Sequence, residues 1–463
     1  MAKTTHYDVI IIGSGQAGGP LAGAFAGSGK KTALIEREHV GGTCINEGCT
    51  PTKTMVASAR VAYLTRRAAD YGVHSGPVTI NMAEVRQRKR AIVESFRGGS
   101  ERRLRSTEHL DLLMGEAQFT GPHAVEVHMN SGETLTLTAE TICINTGDRP
   151  TLAPVEGIET VPTLNSTTIM ELDTVPEHLI VLGGGYVGLE FGQMFRRFGS
   201  QVTIIQRGAQ LLSQEDPDIA VEVQKILQED GIEVLLKTSA VKVAKQGEQI
   251  QVTIRDAHGE RIISGSHLLS AAGRQPNTDR LNITAAGVQL DKHGYIQVND
   301  RLETNVAGIY ALGDTKGGPA FTHISYDDFR ILRTNLIEQG HASMKDRATV
   351  YTVFIDPQLG RIGLSEQEAR RQGKKIKVAK MPMSYVARAL EIDEARGVMK
   401  AIVDAESDLI LGASILGIEG GEIMSMLEIA MLGKLPYTVL RDGVFAHPTL
   451  AESLNNLFGS FTS

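Results

Sequence analysis

Two glycine-rich turns, each set between an apolar strand and a run of small residues, constrain this chain more than any other feature. Residues 7–12 are apolar and β-rich and run straight into Gly13-Ser14-Gly15-Gln16-Ala17-Gly18, with small residues following through Gly29. A second short apolar strand, residues 32–35, ends in Glu36, 18 residues after Gly18. Glycines let the chain turn tightly and let a pyrophosphate approach the backbone, the helix N-terminus offers its positive end, and the terminal carboxylate meets ribose hydroxyls. The same order returns as a strand over 179–182, the turn Gly183-Gly184-Gly185-Tyr186-Val187-Gly188, a helix to Gly199 and a strand over 202–205. That strand ends in Gln206, again 18 residues after the last turn glycine, Gly188. Two copies with matching spacing predict an α/β fold with two Rossmann-like domains and two bound nucleotides.

The length of 463 residues allows about three domains of ordinary size. Charged residues are 22% and hydrophobic ones 41%, values of a globular chain rather than a disordered one or a coiled-coil rod. A net charge of −7 argues against bulk attraction to nucleic acid or to an anionic membrane. No apolar run approaches the roughly 18 residues of a membrane span, and the N-terminal apolar run is too short for a signal peptide, so a cytoplasmic protein is expected. Between the two turns the chain reads as helical, with the basic stretch 86–105 as a solvated face. Residues 250–255 alternate as an antiparallel strand does, and residues 308–314 read as a buried strand ending in Gly313-Asp314. From about Tyr351, glycines at 363, 397 and 412 punctuate short strands and helices follow from Gly421, which reads as a third, α+β domain.

Three cysteines cannot form a disulfide framework, and two of them share one short segment, which points to catalysis or metal binding. Cys143 lies in an apolar strand and reads as buried and inert. Cys44 and Cys49 lie in Gly41-Gly42-Thr43-Cys44-Ile45-Asn46-Glu47-Gly48-Cys49-Thr50-Pro51-Thr52-Lys53, directly after the first turn motif. Two thiols at this spacing are either buried and unreactive or a reversible dithiol. A zinc site would need further ligands at ligand spacing, and none is nearby. With Lys53 beside them and a helix expected to begin near Pro51, a thiolate here would be stabilised.

With these motifs the sequence resembles the FAD-dependent pyridine nucleotide-disulfide oxidoreductases, the group of glutathione reductase, dihydrolipoamide dehydrogenase and mercuric reductase. The resemblance covers nearly the whole chain. It rests on the first glycine turn, the segment from Gly41 to Lys53, Thr146-Gly147, the turn and helix start from Gly183 to Glu190, Gly273-Arg274 with Pro276-Asn277, Gly313-Asp314, and residues 446–452. It implies a discontinuous FAD domain over 1–150 and 276–345, an NAD(P) domain over 151–275, and a C-terminal dimerisation domain over 346–463. FAD would be held by Gly13, Ser14, Gly15, Ala17, Gly18, Glu36, Gly42, Thr43, Lys53, Gly115, Thr146, Gly147 and Asp314. The coenzyme would be held by Gly183, Gly185, Tyr186, Val187, Gly188, Glu190, Gln206, Arg207 and Gly273. The resemblance further implies that Cys49 lies next to the flavin, that Cys44 attacks the acceptor, and that Tyr186 sits where the nicotinamide enters. Lys53 would pair with Glu190. His447, oriented by Glu452, would serve as the base in the other subunit of a homodimer, a task that suits imidazole near neutral pH.

Gln206-Arg207 stands where an acidic residue would bind the 2′-hydroxyl of NAD and repel the phosphate of NADP, so NADPH is expected in preference to NADH. The residues after Cys49 and the segment 319–328 lean toward the mercuric reductase branch and its relatives, including a copper(II) reductase of the bacterial hypochlorous-acid response. Residues 453–463 hold no cysteine, and no heavy-metal-binding domain precedes the first turn, so efficient mercury reduction is not expected. Glu47 is a second departure from that group, where an apolar residue is common; a carboxylate there would disfavour a nearby thiolate. The expected acceptor is a small disulfide or a metal ion. The alternatives are a dihydrolipoamide dehydrogenase and a flavin and disulfide redox sensor.

Overall fold

The computed structural model describes residues 4–345 and 347–462. It divides into two compact units, Met1–Thr54 with Glu84–Thr151 and Gly273–Arg347, and Met55–Ala83 with Leu152–Ala272 and Ala348–Ser463. The segments expected as an NAD(P) domain and a C-terminal domain both belong to the second unit, each with its own sheet.

The first unit is built on an eight-stranded sheet. Val9–Ile12 lies between Thr32–Glu36 and Thr141–Ile144, parallel to both, and Ile309–Ala311 pairs with Thr141–Ile144 from the far side. All four residues of Val9–Ile12 are buried because both faces of the sheet are covered, as a parallel sheet requires. Successive side chains point to opposite faces. Val9 and Ile11 pack with Leu21 and Phe25 of the helix Gly18–Gly27, while Ile10 and Ile12 pack with Phe119, Val125, Val127 and Leu137.

Those last four side chains belong to the antiparallel strands Leu110–Gly121, Ala124–Met129 and Thr134–Thr138. The reading of this region as helical holds for Cys49–Arg66 and Met82–Arg105 and is corrected here beyond Arg105. The alternation of buried Ala117 and Phe119, then Val125 and Val127, is the period of a strand with one face on a core.

The second unit repeats the design. His178–Leu182 lies between Gln201–Ile205 and His267–Ser270, all parallel, with Glu233–Leu235 and Thr163–Leu164 at the edges. The helix Tyr186–Phe198 follows the turn, and an antiparallel sheet of Ser239–Gln246, Gln249–Asp256 and Gly259–Gly265 packs Val243, Val252 and Ile254 against Ile180 and Leu182. Residues beyond 348 form a six-stranded sheet whose Met399, Ala401, Val403, Ala413 and Ile415 pack with Ile423 and Leu427 of the helix Gly420–Leu432.

Candidate active site

The two turns are made by the same steric constraints. Gly13 has φ +100°, donates its N–H to Ile35 O at 2.8 Å, and a Cβ there would lie 2.2 Å from Asn145 O. Gly183 has φ +118°, donates to Ile205 O at 3.0 Å, and a Cβ there would lie 2.5 Å from Ala271 O. The last glycine of each turn sits under the first: a Cβ on Gly18 would be 2.0 Å from Gly13 O, and one on Gly188 2.1 Å from Gly183 O. Only glycine permits this packing of helix start against strand end. Ala17 is buried behind the first turn. Gly15, by contrast, would press its Cβ on Asn145 Oδ1 at 2.9 Å, whereas a Cβ on the exposed Gly185 would meet no protein atom within 4 Å.

At the strand tips the turns diverge. Glu36 Oε2 accepts from the Ser14 hydroxyl at 2.7 Å and its N–H at 3.1 Å, and Oε1 accepts from Glu38 N at 2.9 Å. Gln206 Oε1 accepts from Gly184 N at 3.2 Å, and its Nε2 donates to Gln210 O at 3.1 Å. The Gln206 amide therefore turns its oxygen to the turn and carries no charge. Arg207 is exposed.

Asn145, which the sequence reading passed over, ties the first turn together. It is 7% exposed, accepts from Gly18 N at 2.9 Å and donates to Leu312 O at 2.8 Å. Leu312 leads into Gly313–Lys316, where Gly313 has φ +71° and Asp314 follows. Burial, with Asp148 nearby, pushes the Asp314 carboxyl up to about 7. Asp148 is itself raised by burial and held by Arg274, whose Nε donates to Oδ1 at 2.8 Å. Thr146 and Thr315 hydroxyls meet at 3.2 Å, and Gly147 has φ +66° with nothing within 4 Å of an added Cβ. Gly115 needs to be glycine for a different reason: a Cβ would lie 2.6 Å from His128 O of the neighbouring strand. Gly273 is exposed, with φ +159°.

These residues fit FAD. A glycine cradle precedes a helix N-terminus, Glu36 stands at the strand tip, and Asp314 is a part-buried carboxyl that hydroxyl donors would stabilise in its charged form.

The cysteine segment follows on the same unit. Gly42 has φ +62°, and a Cβ there would lie 2.8 Å from Gly15 Cα, so the segment lies against the first turn. Thr43 and Cys44 lie in the short helix Gly42–Asn46, and Asn46 Nδ2 donates to Val40 O and Gly42 O, both at 3.0 Å. The next helix starts at Cys49, near Pro51 as expected, because proline is tolerated in a first turn whose N–H groups need no intrahelical partner. Cys49 thus occupies the positive end of an 18-residue helix, and Lys53 lies one turn further along. Neither cysteine is in a disulfide; their side chains hydrogen-bond each other. That contact and burial push the Cys44 thiol up, while a hydrogen bond from Thr322 and the charge of Lys53 oppose the rise. Thr322 Oγ1 is also 3.4 Å from Cys49 Sγ. Cys143 is fully buried in its strand, and desolvation raises its thiol.

In the second unit, Tyr186 and Val187 open the helix behind Gly185, and buried Glu190 accepts from Phe354 N at 2.8 Å. His447 Nδ1 meets both Glu452 oxygens at 3.0 Å, and the imidazole is 71% exposed. A carboxylate on Nδ1 fixes the tautomer that leaves Nε2 as acceptor. The helix Gly420–Leu432 exposes Ile429 and Leu432, and Val439 and Val444 are exposed beyond it. Among the described residues no helix is long and apolar enough to cross a membrane.

Comparison with known proteins agrees with this geometry. Residues 7–328 match the pyridine nucleotide-disulphide oxidoreductase family model, and residues 349–458 match the dimerisation domain of the same family. The chain is 38% identical over 456 residues to the probable pyridine nucleotide-disulfide oxidoreductase RclA of Escherichia coli, covering 98% of each. It is 33% identical to a mercuric reductase of Lysinibacillus sphaericus, covering 97% of this chain and 81% of that one. It is 34% identical to a dihydrolipoyl dehydrogenase of Thermus scotoductus, covering 97% and 96%. A solved structure described as a Cu(II) complex of the HOCl-induced flavoprotein disulfide reductase RclA superposes with a TM-score of 0.90 at 37% identity, covering 98% of this chain and 99% of that one.

Proposed function

The chain belongs to the pyridine nucleotide-disulfide oxidoreductases, and from that premise we propose that it uses NADPH to reduce a Cys44–Cys49 disulfide, which then reduces a small disulfide or a metal ion. It is an FAD-dependent enzyme of this family, with FAD and NAD domains and a C-terminal dimerisation domain. The observation that carries the reading is the contact between the Cys44 and Cys49 thiols on a segment packed against Gly15 of the first turn.

When bound, FAD would supply the two-electron chemistry that links a reduced nicotinamide to the disulfide. Gly13, Gly15 and Gly18 would border its pyrophosphate, Glu36 its adenosine ribose, and Asp314 its ribityl chain, with Ser14, Ala17, Gly42, Thr43, Gly115, Thr146, Gly147 and Lys53 completing the FAD site. Gly183, Gly185, Gly188, Val187, Gln206 and Gly273 would border the coenzyme, with Tyr186 at the nicotinamide and Glu190 pairing with Lys53. Cys44 attacks the acceptor as the thiolate. The partner subunit's His447, with its proton placed by Glu452, takes the thiol proton, so the homodimer is the active form. The domains follow the boundaries 1–150 with 276–345, 151–275, and 346–463.

NADPH is preferred because Gln206 brings no charge against a 2′-phosphate and the exposed Arg207 can pair with it. Copper(II) belongs among the candidate metal acceptors because the Cu(II) complex of the RclA flavoprotein has this fold at 37% identity. A second reading, dihydrolipoamide dehydrogenase, is favoured by similarity to the Thermus enzyme and by the Gln206 oxygen, which can accept from a ribose hydroxyl of NADH. A cytoplasmic setting suits a dithiol that must be kept reducible.

The test is anaerobic titration of the FAD-loaded enzyme with NADPH and with NADH, followed by visible absorbance. A long-wavelength band that Cys49→Ser abolishes and Cys44→Ser retains supports the reading. Flavin bleaching with no band in any form would overturn it, and faster NADH-linked turnover of lipoamide would favour the second reading.

A further inference from the structure

The two sulfurs share one hydroxyl. Thr322 Oγ1 is 3.4 Å from Cys49 Sγ, and at the Cys44 thiol hydrogen bonding to Cys49 raises the pKa while hydrogen bonding to Thr322 lowers it. Thr322 is the first residue of the 15-residue helix Thr322–Leu336, whose N-cap, Phe321, gives no side-chain hydrogen bond to the helix end. The helix is fixed from beneath. Buried Asp328 accepts from Gly313 N at 2.8 Å and from Arg347 at 2.7 Å and pairs with Lys316 at 3.3 Å. The hydroxyl therefore sits on a rigid element, and it carries one donor proton.

Reduction of the pair sets a definite demand for donors. One hydride equivalent from the reduced coenzyme breaks the sulfur–sulfur bond and leaves one thiol and one thiolate. A thiolate only accepts hydrogen bonds. The remaining thiol gives it one; a second must come from outside the pair. Among the described residues of the first unit, Lys53 reaches Cys44 by charge and Thr322 reaches both sulfurs by hydrogen bond.

We propose that Thr322 is the donor from its own subunit that stabilises the thiolate of this redox pair, and that its hydroxyl proton turns to whichever sulfur carries the charge. This rests on the reading of Cys44 and Cys49 as the redox pair. Rotation about the Cβ–Oγ bond is enough to follow the charge from Cys49 to Cys44, with no proton transfer to or from threonine. A fixed donor aimed at the charged form needs little rearrangement when the charge appears. Lys53 adds a compact positive charge that lowers the Cys44 thiol.

The test uses the FAD-loaded enzyme, reduced and freed of reductant, with the rate of iodoacetamide modification of Cys44 followed peptide by peptide from pH 5 to 9. Thr322→Val keeps the side-chain shape and removes the donor, and the midpoint should move to higher pH, with modification about tenfold slower at pH 7, the scale of one hydrogen bond to a charged group. Thr322→Ser should restore the wild-type profile, and Thr322→Ala should match the valine variant. Superimposable profiles for wild type and Thr322→Val, or a shift that serine does not rescue, would overturn the proposal. FAD content and circular dichroism identify a variant that fails to fold, in which case the alanine and serine pair decides. The long-wavelength band lost in Cys49→Ser reports on the redox pair separately, so its presence with unshifted profiles would sink only the role of Thr322.

Discussion

The two glycine turns share their backbone and differ at the residue that closes them. Gly13 and Gly183 are both left-handed, both donate to the end of the second strand, and both abut the carbonyl of the third, Asn145 O in one case and Ala271 O in the other. Glu36 is a charged acceptor for three donors, whereas Gln206 is a neutral amide held by one donor and one acceptor. The glycines answer to packing, and the strand tips differ in charge and in partners.

The comparison is broken most directly at the glycines. Gly13→Ala adds a Cβ 2.2 Å from a carbonyl oxygen at φ +100°. Left-handed strain alone costs about 1–3 kcal/mol, and the clash adds to it. The variant should purify without visible flavin absorbance. Gly183→Ala should keep the flavin and lose reduction by NADPH, with KM raised at least about tenfold by the same strain. Loss of flavin in both would show that the turns do not act independently.

Gln206→Glu should make the second turn resemble the first. Steady-state kinetics should show kcat/KM for NADPH falling about tenfold or more while NADH gains, because a carboxylate repels the 2′-phosphate. Arg207→Ala should raise KM for NADPH by a smaller factor and leave NADH unchanged.

Asn145→Ala tests the tie that only the first turn has. It strands the Gly18 N–H and Leu312 carbonyl, and a buried group left unsatisfied costs about 1–3 kcal/mol. The expected result is a lower Tm by calorimetry and weaker FAD retention, with KM for NADPH unchanged.

The smallest effect is the pH dependence that Asp314 gives the FAD-free protein. Its carboxyl, held at about 7 when folded against 3.8 in the unfolded chain, keeps a proton that the unfolded chain releases between these values. Stability from this group is therefore lost as pH rises across that window. The Tm of FAD-free protein should fall from pH 5 to 8 more steeply than that of Asp314→Asn.

Much of this was legible in the chain. Both turns, their strands and helices, the cysteine segment and the buried strand of Cys143 stand where the spacing put them, because glycine and apolar runs report local constraints. Asn145 and Thr322 were not legible, since their partners lie far along the chain: Gly18 and Leu312 are 127 and 167 residues from Asn145, and Cys49 is 273 residues from Thr322. The antiparallel strands from Leu110 to Thr138 carried a two-residue period, but the long basic helix before them dominated the reading.

The pairing of Ile309–Ala311 with Thr141–Ile144 also sets a clock on synthesis. At ribosomal speeds of about 5–20 residues per second, roughly 10–30 s pass between the emergence of these two strands. During that interval the edge of Thr141–Ile144 is open to pair with any passing strand. The carbonyl of Leu312, which receives Asn145, arrives only afterwards, so the nascent chain carries a half-finished nucleotide cradle until most of its length has been made.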